Sequence, residues 1–136
     1  MKHSIYVSLP KFENNHFLGK ISPSELHKLT PLANLGLSIE EDLGLNYRYA
    51  LPNKIFDYIQ AEVPILVSNL PEMKMISINY NVGEIVRNRK PIELAKQIEK
   101  LLEKDFSNNL KKAKKELIWE KQKEKLISIF NKSINV

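Results

Sequence analysis

Lys54 and Asp57 sit one helical turn apart, just after a Pro-Asn pair that has the form of a helix start. Free backbone N–H groups and the helix dipole make such a start attractive to an anion. Lys54 in the first turn opposes that dipole unless an anion lies beside it. Asp57, one turn on, is a natural acceptor for the hydroxyls of a ligand whose phosphate sits at the helix start. The same spacing also describes a solvent-exposed i, i+3 ion pair, worth about 0.2–0.5 kcal/mol; the pattern alone leaves both readings open. A run of acids, Glu40-Glu41-Asp42, opens the segment leading to this helix. At twelve residues (40–51), that segment exceeds the two to six residues of an ordinary βα turn. Tyr47, Tyr49 and Leu51 within it argue against disorder.

Other chemistries lack their residues. The chain has no Cys, which removes disulfides, thiolate nucleophiles and thiolate metal sites. His3, His16 and His27 stand apart from one another and from other ligands at metal spacing, so no metal is expected. Ser38 and Ser68 end apolar runs but lie outside any G-x-S-x-G elbow. With four Gly, a glycine-rich phosphate loop cannot be built, and neither a Walker A nor a G-x-G-x-x-G motif is present.

The elements that would position Lys54 and Asp57 alternate along the chain. Ile5-Tyr6-Val7 and His16-Phe17-Leu18 read as short strands, the second ending at Gly19. Ser22-Pro23-Ser24-Glu25 opens a helix with Leu26, Leu29, Leu32 and Ala33 on one face, and Pro31 should end or kink it. Leu35 to Ile39 is a short strand. Pro52-Asn53 opens a helix through about Ala61, with Ile55, Phe56 and Ile59 inward. Pro64 to Ser68, short and apolar throughout, is the pattern of a strand buried on both faces. Pro71 begins a helix with Met73, Ile76 and Ile78 apolar, and Val82 to Val86 is the next strand. Pro91 begins a helix with Ile92, Ala95, Ile98, Leu101 and Leu102 inward. Residues 107–109 break it and cap a last helical stretch carrying Leu110, Ala113, Leu117, Trp119, Leu126, Phe130 and Ile134. This order implies an α/β fold, a Rossmann-like parallel sheet with helices on both faces and a long helix at the end. The organisation reads as 1–105, a nucleotide-binding body, and 106–136, a helical segment packing on it or on a partner. Ligands in such sheets bind at the carboxyl ends of the strands, which here means the segments after Gly19, Ile39 and Ser68.

Charge separates the same two parts. Residues 1–103 carry 12 basic and 12 acidic side chains, and residues 104–136 carry 9 Lys and 4 acids, so the net +5 belongs to the tail. Its bases are all Lys and interleave with Glu, as on a solvated helix face rather than a nucleic-acid surface rich in Arg and aromatics. No apolar run approaches the roughly 18 residues of a membrane span, and the first residues lack a signal-peptide core. A cytoplasmic protein without a transmembrane segment is the expectation, with peripheral membrane contact left open.

Residues 45–73, read together, resemble the C-terminal nucleotide-sugar-binding domain of glycosyltransferases with the GT-B fold, in particular the large retaining family 4, or group 1, enzymes. The flanks agree: Phe17-Leu18-Gly19 with Ser22 to Leu26, Ala33 to Ser38, Val82-Gly83, Pro91 to Ala95, and Trp119-Glu120 in the final helix. The likeness runs from about residue 5 to 131. It implies a hexosyltransferase-type donor half, one that binds a nucleotide diphosphate sugar for transfer to a glycan or lipid-linked acceptor in surface polysaccharide synthesis. The donor is a substrate, and no cofactor is implied. The resemblance puts Asn53 and Lys54 on the diphosphate and Asp57 on the ribose, where the family carries Glu. The family's second acid would fall at Tyr49; Glu41 or Asp42 is the substitute it implies near the sugar, and no catalytic residue is certain. Glu62 replaces the family's Gly before the apolar strand; a left-handed backbone there would cost a non-Gly residue on the order of 1 kcal/mol. The family's N-terminal half, with the acceptor site, and the first strand and helix of the C-terminal half have no counterpart here. The chain alone should therefore bind donor weakly and transfer nothing, since catalysis needs both substrates positioned together. The expected partners are the nucleotide-sugar and either an N-terminal half or a second copy meeting through the C-terminal helix. The alternative is a non-catalytic module of Rossmann-like fold that binds a nucleotide or a partner.

Overall fold

Three short strands, β1 (Gly36–Ser38), β2 (Ile65–Val67) and β3 (Gly83–Ile85), form a parallel sheet in the order β1-β2-β3 in a computed structural model that describes residues 14–134. Gly36, Ile65 and Gly83 align across the sheet, as do Ser38, Val67 and Ile85. Each step from one strand to the next passes through a helix, as a parallel pairing requires. Between β1 and β2 run α2 (Leu45–Arg48) and α3 (Asn53–Gln60), and between β2 and β3 runs α4 (Pro71–Tyr80). Ahead of β1 lies α1 (Pro23–Leu29), and after β3 come α5 (Pro91–Leu102), α6 (Ser107–Glu116) and α7 (Trp119–Ile134). The α/β reading with a long terminal helix holds for the described residues. The strand expected at residues 5–7, like His3, lies outside them.

Local chemistry explains most boundaries. A full capping box starts α1: the Glu25 N–H donates to Ser22 Oγ at 3.3 Å, and the Ser22 N–H donates to Glu25 Oε2 at 2.9 Å. Pro31 ends it, as the sequence implies, and the chain tightens into a 3-10 turn over Thr30–Leu32. Pro91 and Pro71 occupy the first positions of α5 and α4. Gly36 and Gly83 are glycines because of close approach. A Cβ on Gly36 would run into the Tyr58 ring of α3, and one on Gly83 into the Ile65 carbonyl of β2.

All three residues of β2 are fully buried. Successive side chains point to opposite faces, so β2 is covered on both sides, as its unbroken apolar run implies. Ile55 and Ile59 of α3 and Met73 and Ile76 of α4 pack with it, joined by Val82, Val86, Leu101, Phe106, Leu110 and Ala113. Thus α6 closes over α3 and α4 and belongs to the body, whereas α7 buries none of its residues.

Three expectations are corrected. Residues 16–18 form no strand; Phe17 and Leu18 are exposed, and no described strand pairs with them. On α4, Ile78 is exposed, because the inward positions are Met73, Ile76 and Ser77 at i, i+3 and i+4. On α5, Ile92, Ala95 and Leu102 are exposed and the buried positions are Gln97 and Leu101, with Leu94 and Ile98 packed beside them. Gln97 is inward because it serves the backbone just past β3. Its Nε2 donates to the Ile85 carbonyl at 2.8 Å, and its Oε1 accepts from the Arg87 N–H at 3.1 Å.

Candidate functional site

The carboxyl ends of β1 and β2 meet in a polar cluster. Ser38 and Ser68, both buried, end the two strands, and the Ser68 N–H donates to the Ser38 carbonyl at 3.0 Å. Ser68 Oγ donates to the Glu40 carbonyl at 2.6 Å. Arg89, in the loop from β3 to α5, donates from Nη2 to Ser68 Oγ at 2.9 Å and to the same Glu40 carbonyl. The three strand ends are thereby tied to one guanidinium.

The first turn of α3 stands beside this cluster. Pro52 enters the helix with an extended backbone, and no side chain caps the first N–H groups. Asn53 and Lys54 are exposed there. Lys54 Nζ lies 2.6 Å from Glu40 Oε1, and Ser38 Oγ is 3.4 Å from the same oxygen. The hydrogen bond from Lys54 is the largest influence on the Glu40 carboxyl; with Ser38 and Arg89 it outweighs partial burial and holds the pKa below the usual range. Lys54 therefore pairs with Glu40 across the loop, and the i, i+3 pair with Asp57 does not form.

Asp57 faces elsewhere. It lines a cavity of about 400 Å³ between α1, the 3-10 turn and α3, together with Ile21, Leu26, His27, Thr30 and Gln60. Its α1 side mixes apolar residues with His27 and Thr30, and Asp57 supplies the carboxylate. Leu26 of α1, on its wall, is only half covered.

Glu41 and Asp42 line a second cavity, of about 450 Å³, with Asn69, Arg87 and Arg89. Asp42 is engaged by Arg48, whose Nε lies 3.2 and 3.0 Å from its two oxygens and whose Nη2 lies 2.8 Å from Oδ2. That fork fixes the long loop: α2 is a single turn inside it, and Gly44 at φ 148° starts the turn in a backbone that favours glycine. The two acids thus differ, Asp42 holding the loop and Glu41 facing the cavity.

Sequence reasoning missed Glu40 as the partner of Lys54, and it missed Arg89. The signal for Arg89 was available, since the loop after β3 is a strand-end loop by the rule that singled out residues 40 and 69. That loop carries Arg87, Arg89 and Lys90, and Arg89 reaches the ends of β1 and β2. Among the same residues, no group of three His, Asp or Glu stands close enough to hold a metal, and no helix is long and apolar enough to cross a membrane. Comparison with models of known families, with curated proteins and with solved structures finds no match. What stands is a class: an α/β protein with a three-stranded parallel sheet and a polar, cation-bearing rim at its strand ends.

Proposed function

We propose that the chain is the donor-binding half of a GT-B glycosyltransferase, Rossmann-like in fold. In this reading it holds the nucleotide diphosphate sugar from which a hexose passes to a glycan or lipid-linked acceptor. The observation that carries the reading is the uncapped start of α3 at the carboxyl end of β1. Lys54 stands at its first turn beside the strand ends, and Asp57, one turn on, lines a separate cavity against α1 into which the nucleoside has to reach. The diphosphate lies against the α3 N–H groups, Asn53 and Lys54, and Asp57 accepts from the ribose hydroxyls. Glu41 is the acid left to face the sugar, because Asp42 is held by Arg48. An acceptor site and the groups that complete catalysis belong, in this reading, to an N-terminal half.

Glu40 is paired with Lys54, so a diphosphate has to displace it. Calorimetric titration with UDP, GDP and ADP tests this. One diphosphate is expected to bind. Lys54→Ala and Asp57→Ala weaken it by at least about tenfold each, the scale of one charge-assisted hydrogen bond, while Glu40→Gln tightens it. No binding of any of the three up to millimolar concentration overturns the proposal.

The second reading, a non-catalytic nucleotide or partner module on the same fold, is favoured by the commitment of Asp42 to the loop. Sugar transfer recovered by mixing this chain with an N-terminal half decides against it.

A further inference from the structure

Helix α7 presents an apolar face that nothing in the described structure covers. Trp119, Leu126, Ile127, Ile129, Phe130 and Ile134 fall within one side of the helix, and all are exposed, Trp119 at 66% and Phe130 at 64%. The opposite side carries Lys121, Lys125 and Lys132 with Glu120 and Glu124. Sixteen residues give an amphipathic rod of ~24 Å. We propose that this face docks on an anionic lipid surface, the helix lying in the plane of the membrane with its apolar residues among the acyl chains. It gives this face to the membrane and not to the N-terminal half or second copy that the resemblance would seat there.

Two features choose the lipid over a second copy. The first is charge. Helix α7 carries four Lys against two Glu, so pairing two copies of it brings like net charges together, whereas an anionic surface attracts those lysines. The second is Lys123. It stands three, four and seven residues before Leu126, Ile127 and Phe130, on the apolar face itself. In a dry helix–helix seam its ammonium would be buried without a described partner, a costly arrangement. At a membrane its four-carbon stem runs along the apolar side and its head reaches the lipid phosphates. An aromatic at the start of the helix, lysines on the polar side and aliphatics between them form the composition of an interfacial helix.

Trp119 is the only tryptophan of the chain, so its emission reports the docking directly. The full chain is mixed with vesicles of phosphatidylcholine alone and of phosphatidylcholine with phosphatidylglycerol. A blue shift and co-sedimentation are expected with the anionic vesicles, weakening as salt rises. Leu126→Ser with Phe130→Ser removes both. Lys121→Glu, Lys125→Glu and Lys132→Glu together lower partitioning on the order of a hundredfold. Because α7 buries nothing, these variants keep the melting profile of the body, which is measured alongside. Absence of a shift with either vesicle, or equal binding to both, overturns the proposal. So does a blue shift without lipid accompanied by a doubling of mass, which would assign the face to a second copy.

Discussion

Helices α6 and α7 follow one another and share a lysine-rich composition, yet the one poorer in apolar residues is the one inside the core. Within α6 the apolar residues are Leu110 and Ala113, and both are buried; α7 has six large ones and buries none. The difference lies in what each helix meets. The groove between α3 and α4 is filled by Phe106, Leu110 and Ala113, and the end of α6 is then pinned. Gln60 Nε2 of α3 donates to the Lys114 and Leu117 carbonyls at 3.1 and 3.2 Å, and Lys114 lies 2.9 Å from Glu62. Helix α6 fills that groove, and α7 continues past it without burying a residue. Apolar spacing shows that a helix has a face; it does not show what the face is for.

Paired substitutions sharpen this contrast most. Leu110→Ala, at a site 2% exposed, is expected to lose about 2–5 kcal/mol of stability through lost burial and a cavity. Leu126→Ala, at a site 58% exposed, should stay within about 0.5 kcal/mol. Denaturant unfolding of the two variants checks it, and equal losses would mean that α7 is packed on the body after all.

Acid is the next lever. Glu84 on β3 is pushed up by burial, its largest single influence. Lys104 at 2.5 Å, Gln97 and Arg87 together outweigh burial and leave its pKa below the ordinary 4.5. Glu40 is lowered likewise, first by Lys54. A carboxyl whose pKa is lower folded than unfolded contributes stability that is complete above the unfolded value and is lost as pH falls through the folded one. The melting temperature is therefore flat above about pH 5 and falls below about 4.5. Glu84→Gln should flatten part of that fall. The α7 face should go on binding anionic vesicles there as long as the vesicles stay charged.

The order of helices and strands was legible because its signals are local: Pro at the start of α4 and α5, Ser22 with Glu25 at α1, and the unbroken Ile65–Val67 run. The rim was half legible. Lys54 and Asp57 stand out by their place at a helix start. Glu40 and Arg89, 49 residues apart, meet only once the sheet brings the loops after β1 and β3 together. Gln97 escaped for the same reason: a polar residue on a helix's inner face is explained by a strand-end backbone that periodicity does not contain. The Asp42–Arg48 fork is a third case, turning a segment that reads as a long loop into one held by a short helix.

The smallest expected effect lies where α3 meets α6. Glu62 has φ 59°, in the left-handed region. The geometry calls for it. The Val63 N–H donates to the Tyr58 carbonyl at 2.9 Å and the Glu62 N–H to the Ile59 carbonyl at 3.0 Å, the two bonds of a Schellman close. A glycine suits that backbone better than any side chain, but Glu62 uses its side chain to hold Lys114 on α6, and that contact holds its carboxyl below the usual range. Backbone strain and an ion pair thus oppose each other in one residue. An exposed ion pair contributes little, because solvent screens it and two long side chains must be ordered to make it. Relief of the left-handed strain should outweigh the loss of the pair. Glu62→Gly is expected to raise the melting temperature by about 2–4 °C, and high salt should change the variant less than the parent. A fall instead would mean that the Glu62–Lys114 contact, and not the filling of the groove by Leu110 and Ala113, is what separates α6 from α7.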